Sequence, residues 1–412
     1  MKTTLKRALC FALILVISGP YAVFANGEGT EDFLIQTDPV ESTYIGRVQA
    51  SRLIQQLRFT DLPPTQAGQD AIIRSGALEA IRPAAPTFRP NAPITREEAI
   101  AYSLRTAGLS EMAMLMATAL DIPPNTPLGT AWSLGYLQLA STMGMILPEN
   151  FEAALSDVNM QFNEIVDGID IAQAWDRTEN ATREEIAFWL ATALRFAQGD
   201  IFENNAVGIS LQSFTDWNSI NVQAAEAVEL LLRNNVISGQ TATIFGPSSA
   251  VTRQQMAQFI RNLDEMHYGI HGLVRRVGTV ADIWNEQYTE TGAGTLWNHI
   301  HVRRADGGVD MLQFTLTGGP SPQTGALDAV TLRGGNVGGL NSLEIGDQIE
   351  YLVHPVTNTV WYVLVTNEVV TQTFRGRLEL IDMERGTMTF RNEAGTVYTF
   401  PMSRGLFGTD HN

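Results

Sequence analysis

The chain has 412 residues and a formal net charge of −17, with 44 acidic side chains against 27 Lys and Arg. So acidic a balance argues against nucleic acid and against anionic membrane surfaces as partners. Cys10 is the only cysteine, so a chain that has lost it forms neither disulfides nor Cys-ligated metal sites.

The opening MKTTLKRALCFALILVISGPYAVFANG sets Lys2, Lys6 and Arg7 before an apolar run, Leu9 to Ile17, too short to span a bilayer. Val23 and Ala25 suit a small-residue cleavage site, so residues 1–25 are expected to be a signal peptide. No lipobox surrounds Cys10, which argues against a lipid anchor. Losing three bases and no acids leaves 24 against 44, a balance of −20 on a mature chain of about 387 residues. That length suits two or three domains. No later stretch reads as a transmembrane helix, and no sortase-type motif closes the chain. Attachment to a cell surface is therefore expected to be non-covalent. Residues 26–55 are read as an N-terminal segment with a lead-in helix.

One phrase then recurs. Residues 93–100 read PITREEAI, residues 180–187 NATREEIA and residues 250–257 AVTRQQMA, with Arg96, Arg183 and Arg253 in register. An aromatic stands eight residues before each: Phe88, Trp175 and Phe245. Helical patterns follow each phrase, and FTD precedes two of them, at Phe59-Thr60-Asp61 and Phe214-Thr215-Asp216. Asp61 to Arg96 spans 35 residues and Asp216 to Arg253 spans 37, whereas Asp121 to Arg183 spans 62. The middle copy therefore carries an insertion, expected within 148–174, and has only LDIPP in place of FTD. The units are set at 56–110, 111–200 and 201–268. A helix–loop–helix unit cannot bury its apolar face alone, and three packed copies can.

This pattern resembles the S-layer homology family, whose unit runs FxD, helix, Gly-containing turn, F-x-P-N, and a T-R-A-E motif opening a second helix. Phe59, Asp61, Phe88-Arg89-Pro90-Asn91 and Thr95-Arg96-Glu97-Glu98 match it. So do Phe214, Asp216, Gly239, Phe245-Gly246-Pro247 and Thr252-Arg253, although Gln254-Gln255 stand where acids are usual. The middle copy keeps Trp175 and Thr182-Arg183-Glu184-Glu185. The resemblance implies a pseudo-threefold bundle whose grooves bind an acidic secondary cell wall polysaccharide linked to peptidoglycan, with the motif Arg contacting the acidic substituent.

Read from the residues alone, Thr95, Thr182 and Thr252 are N-caps, and Glu98, Glu185 and Gln255 complete capping boxes. The Arg is not needed for capping, and at the first helical position it opposes the macrodipole. Beside free first-turn N–H groups it makes a carboxylate site. The alternative is an ion pair between repeats, with Asp61 or Asp216 as partner. Those two Asp residues either cap the following helix or accept a sugar hydroxyl. Phe88, Trp175 and Phe245 are expected in the core. Gly239 and Gly144 serve tight turns, and Gly239 also allows close approach of a sugar. Candidate glycan-binding residues are thus Arg96, Arg183, Arg253, Asp61, Asp216 and Gly239, with the middle groove at Arg183 expected to be weakest.

Residues 269–412 change character, alternating apolar and polar with turns at Asp306-Gly307-Gly308, Arg385-Gly386 and Ala394-Gly395. Strands are expected at LWNHIHVRR, VDMLQFTLT, QIEYLVHPV, VWYVLVTN, GRLELIDM, TMTFRNE and TVYTFPM. The stretch beginning GRLELIDM echoes the one beginning GTVADIW, so two hairpin units forming small barrels or one Greek-key barrel are expected. No catalytic constellation stands out, His299 and His301 lack a third ligand for a metal, and no cofactor motif is present. The expected fold class is therefore α+β multidomain: a mainly α-helical module followed by an all-β small barrel or sandwich. The expected function is non-enzymatic anchoring at the cell surface, with possible self-assembly in an S-layer or envelope. The alternative is a wall-anchored enzyme acting on polysaccharide through the β-domain.

Overall fold

The computed structural model describes residues 50–81, 86–120, 132–161, 175–199, 211–288, 295–315, 329–369, 376–382, 387–392 and 394–401. The expected signal peptide, the LDIPP segment from residue 121 onward and the expected insertion beyond residue 161 lie outside the described residues.

The helices are α1 (Ala50–Gln56), α2 (Gln66–Ala77), α3 (Arg96–Thr106), α4 (Ser110–Ala119), α5 (Leu134–Thr142), α6 (Pro148–Gln161), α7 (Arg183–Gln198), α8 (Val222–Arg233), α9 (Arg253–Asn262) and the short α10 (Glu265–Tyr268). Three start alike. Thr95, Thr182 and Thr252 each accept the N–H of the residue three positions on, and Glu98, Glu185 and Gln255 each accept the Thr N–H in return. Three others end alike. Glu79, Gly144 and Asn235 follow α2, α5 and α8 in the left-handed region, with φ of 62°, 73° and 56°. Their N–H groups return to the last turn of the helix.

Helix packing runs in one direction around the module. α3 lies against α5, α7 against α8, and α9 against α2. The second helix of each pair thus rests on the first helix of the next pair, and the last returns to the first. Ile73, Ile100, Leu137, Leu190, Leu231 and Ile260 are among the buried side chains that fill the common core.

After α10 the chain enters a seven-stranded sheet: β1 (Val274–Tyr288), β2 (Thr295–Arg304), β3 (Val309–Thr315), β4 (Val330–Arg333), β5 (Asn336–Gly338), β6 (Gln348–Val353) and β7 (Val360–Asn367), in the order β3-β2-β1-β6-β7-β4-β5. Its neighbours are antiparallel except β4 and β7. Strand alternation divides the side chains between two cores. Leu352, Tyr362 and Leu364 join the helical core together with Val330, Leu332 and Val337. Ile349, Tyr351 and Val363 line a second core with Val280, Ile300 and Leu312. The expected boundary at residue 269 thus marks a change of secondary structure, while the apolar core continues across it.

The sheet is rolled. Three strand spacings of about 4.8 Å would hold β6 and β3 roughly 14 Å apart in a flat sheet. Yet the Tyr351 hydroxyl on β6 donates to Asp310 on β3 at 2.6 Å. Among the described residues the roll does not close: β3 and β5 end the strand order and no pairing joins them. In place of the expected closed barrel, the described strands form an open sheet, and β4, β5, β6 and β7 contribute side chains of one face to the helical core.

A second sheet comprises β8 (Gly376–Asp382), β9 (Thr387–Asn392) and β10 (Val397–Pro401), in the order β10-β9-β8. The echo between GTVADIW and GRLELID has a structural counterpart. Both open three-stranded antiparallel meanders, and their first strands carry a register shift at the same offset from Gly278 and Gly376, between Val280 and Asp282 and between Leu378 and Leu380.

Candidate functional site

The three phrases quoted above meet. Ile94 N–H donates to Val251 O (2.9 Å), Val251 N–H to Ala181 O (3.2 Å) and Ala181 N–H to Ile94 O (2.9 Å), closing a ring of three hydrogen bonds. Short bridges Pro93–Thr252, Thr95–Asn180 and Thr182–Ala250 flank it. The starts of α3, α7 and α9 are thereby drawn to one place.

This closeness uses up the first-turn donors. Arg96 N–H and Glu97 N–H donate to Glu179 O and Arg177 O, Arg183 and Glu184 to Ser249 O and Pro247 O, and Arg253 and Gln254 to Ala92 O and Pro90 O, all within 2.8–3.1 Å. The third N–H of each helix goes to its Thr cap. The expected anion site of free first-turn N–H groups is therefore corrected: those donors face carbonyls of the neighbouring unit.

The Arg side chains follow the same circuit. Arg96 Nε donates to Glu185 Oε1 at 3.1 Å and its Nη1 to Glu179 Oε2 at 2.5 Å. Arg253 pairs with Glu98. The carboxylate partners include the capping-box glutamate of the next unit in both cases, joined at Arg96 by Glu179, and neither Asp61 nor Asp216 is among them. Each glutamate serves twice: Glu185 Oε2 accepts Thr182 N–H (2.8 Å) and Glu98 Oε2 accepts Thr95 N–H (3.2 Å), leaving Oε1 for the Arg. The favourable ion pair offsets the helix dipole's cost of a cation at the first position.

Arg183 is different. The residue that would serve it is Gln255, whose Oε1 accepts Thr252 N–H at 2.9 Å. The remaining group of that amide is an NH2 donor, which cannot accept from a guanidinium. No carboxylate pairs with Arg183 among the described residues. Its Nη2 donates to Ser238 O, its Nε is buried without a hydrogen bond, and the residue is only 4% exposed. The guanidinium lies 5.2 Å from the ring centroids of both Phe245 and Phe259. Burial of this uncompensated charge brings its pKa down to about 10.

The second position of each motif binds the next unit's first helix. Glu97 Oε2 accepts from Ser133 Oγ and Arg177 Nη1, both at 2.5 Å, just before α5. Burial raises the Glu97 pKa, while Arg177 and the Ser133 hydroxyl act against that rise. Glu184 Oε2 accepts Asn221 N–H at 2.8 Å, at the cap of α8. The Gln254 side chain lies beside Gly68 in α2.

The side chains of Asp61 and Asp216 neither cap a helix nor stand free. Asp61 accepts Phe88 N–H (2.7 Å) and Arg89 N–H (2.8 Å), and Asp216 accepts Phe245 N–H (2.9 Å) and Gly246 N–H (2.8 Å). Thr65 and Asn221 are the caps of α2 and α8. Burial works to raise the Asp216 pKa, but the two N–H donors hold it below the usual carboxylate value. Phe88 and Phe245 are fully buried and pack on Phe59 and Phe214, whereas Trp175 is partly buried beneath Arg96. Gly239 lies outside any assigned turn, and its role is close packing: a Cβ there would lie 2.3 Å from Phe214 Cε1 and 2.5 Å from Thr241 O. It follows directly on Ser238, so of the six candidates Arg183 and Gly239 share one place.

Residues 58–100 and 213–257 match the family model of the S-layer homology domain. Those stretches hold the first and third units, from FTD to the capping box; residues 101–212 fall outside both. No curated protein and no solved structure matches the chain. S-layer homology domains are known for cell-wall anchoring and for binding wall glycans, and they imply cell-surface association in secreted proteins. No helix among the described residues is long and apolar enough to cross a membrane.

Proposed function

We propose that the chain is an exported, non-enzymatic envelope protein whose helical part is three S-layer homology units in pseudo-threefold arrangement, anchoring it to an acidic secondary cell wall polysaccharide. The C-terminal sheets are displayed from that anchor. The middle unit, unmatched by the family model, is included because its cap, its Arg and its backbone contacts repeat those of the other two.

One observation carries the reading of the binding site: Arg183 is a buried cation with no carboxylate among the described residues. An isolated buried charge is costly and is relieved by an arriving anion. A carboxylate on the glycan suits a guanidinium through two parallel donors. Arg96 and Arg253 already hold such partners, so Arg183, beside Ser238 and Gly239, is the principal anion site, the reverse of the order expected from motif quality. Purified walls with and without their polymer provide the test. Arg183→Gln should weaken binding roughly 10- to 150-fold, corresponding to about 1.5–3 kcal/mol. Arg96→Gln should bind nearly as the parent does in its folded fraction. Undiminished wall binding by Arg183→Gln refutes this assignment.

A further inference from the structure

We infer a second ligand site, for a single carboxylated sugar unit, in the seam between the first helical unit and the β4–β5 hairpin. The reading goes beyond the Arg183 groove and does not rest on it. A cavity of about 330 Å³ opens there, lined by Arg58, Phe59, Leu62, Gly335, Asn336 and Val337. Half of that lining flanks or belongs to the FTD segment, and half comes from the hairpin.

Both walls are fixed in place. Arg58 Nε donates to Val337 O at 3.2 Å, tying the hairpin to the helical unit. Gln66 Nε2 donates to Val365 O at 2.8 Å close by in sequence to α2's start. Gly334 and Gly335 turn the hairpin with φ of 54° and 79°, a two-residue turn that needs both residues left-handed. Gly335 lies against the Gln69 amide, which in turn donates to Pro63 O at 2.9 Å. A preformed site loses little freedom on binding.

The chemistry of the lining selects the ligand class. Arg58 is exposed and forms no ion pair among the described residues, although most of the chain's described arginines do. Its guanidinium provides a bidentate donor for a carboxylate. Asn336, whose Nδ2 donates to Gly334 O at 3.4 Å, still has its carbonyl oxygen and a second N–H to offer to hydroxyls. Leu62, with the edges of the largely buried Phe59 and Val337, gives an apolar floor for the C–H face of a pyranose ring. One cation, one amide and an apolar floor in a concave site of this size fit one acidic monosaccharide unit and not a long apolar ligand.

Glucuronate is the probe, with glucose and acetate as controls, titrated into the full chain and followed through backbone amide NMR shifts. Glucuronate is expected to move the Gly335 and Asn336 amides at millimolar concentration, with glucose and acetate at least tenfold weaker. Arg58→Gln, read in its folded fraction, should weaken glucuronate at least tenfold. Asn336→Asp, which sets a negative charge at the mouth, should do the same, and Arg183→Gln should leave the titration unaltered. Unshifted Gly335 and Asn336 amides, acetate binding as tightly as glucuronate, or full binding by Arg58→Gln each overturn the site. None of those outcomes bears on wall anchoring through Arg183.

Discussion

Arg96 and Glu185 belong to different helix starts, 89 residues apart in sequence, and meet at 3.1 Å. That contact explains why a cation occupies the first position of a helix, where the dipole disfavours it. The glutamate completes its own capping box with one oxygen and holds the neighbour's guanidinium with the other. Helix initiation and the joining of units are therefore carried by the same side chain.

Breaking one such link should cost stability. Arg253 is 6% exposed and pairs with Glu98. Arg253→Gln leaves Glu98 without its cation, and urea denaturation should report a loss of about 2 kcal/mol. Combining it with Glu98→Gln should recover part of that loss, giving a coupling energy of at least roughly 1 kcal/mol. Strictly additive losses would mean that the two residues act independently.

Two loop positions should respond in opposite directions. Gly239→Ala drives a Cβ into Phe214 and Thr241 O, and overpacking of this kind costs about 1–3 kcal/mol. Arg89 occupies the left-handed region with φ 58°, where the third unit has Gly246 with φ 73°. Arg89→Gly relieves a strain of about 1 kcal/mol, offset in part by the greater freedom of glycine in the unfolded chain. Melting temperatures should fall for the first variant and hold or rise slightly for the second. A drop for Arg89→Gly would show that the Arg side chain contributes packing or pairing.

Acid should loosen the joint between helices and sheet. His267 on α10 is buried, with Nε2 unpaired, beside His271 and Arg74, and His271 packs on Trp361 of β7. Arg74 is itself held by Asp264 and by Glu350 of β6. Burial first, and then the electrostatic influence of His271 and Arg74, push the His267 pKa well below its ordinary value. In the unfolded chain the imidazole takes a proton near pH 6.5. Below that pH the unfolded state binds more protons, so stability falls with pH by up to about 1.4 kcal/mol per unit for this group. Between pH 6.5 and 5, His267→Phe should show a shallower slope than the parent. Equal slopes would assign the acid sensitivity to other groups.

Much of this arrangement was legible in the chain itself. The caps at Thr95, Thr182 and Thr252, the buried Phe88 and Phe245, and most of the strands follow from local spacing and alternation. Partners were harder to see. Nothing within PITREEAI tells that Glu98 reserves an oxygen for Arg253, because the two helices meet only after the ring at Ile94, Ala181 and Val251 has closed. The short β4–β5 hairpin, with few residues to alternate, gave no periodic signal. Docking of the sheet through Asp70, which accepts from the Tyr362 hydroxyl at 2.8 Å and from Arg261 at 2.7 Å, is a long-range relation that spacing does not encode. One clue was visible and pointed to the site: Gln254-Gln255 in place of two acids. Its meaning depended on knowing which Arg that pair would face.

The most direct measurement is therefore made on Gln255→Glu. A glutamate there keeps the capping box with one oxygen and offers the other to Arg183, completing the circuit that Arg96–Glu185 and Arg253–Glu98 already form. Melting temperature and affinity for the acidic wall polymer should be measured on the same preparation. The account predicts a more stable protein that binds the polymer at least tenfold more weakly, because the buried guanidinium has been paired from within. A variant that gains stability and binds the polymer as tightly as the parent would contradict the assignment of Arg183 as the anion-binding residue.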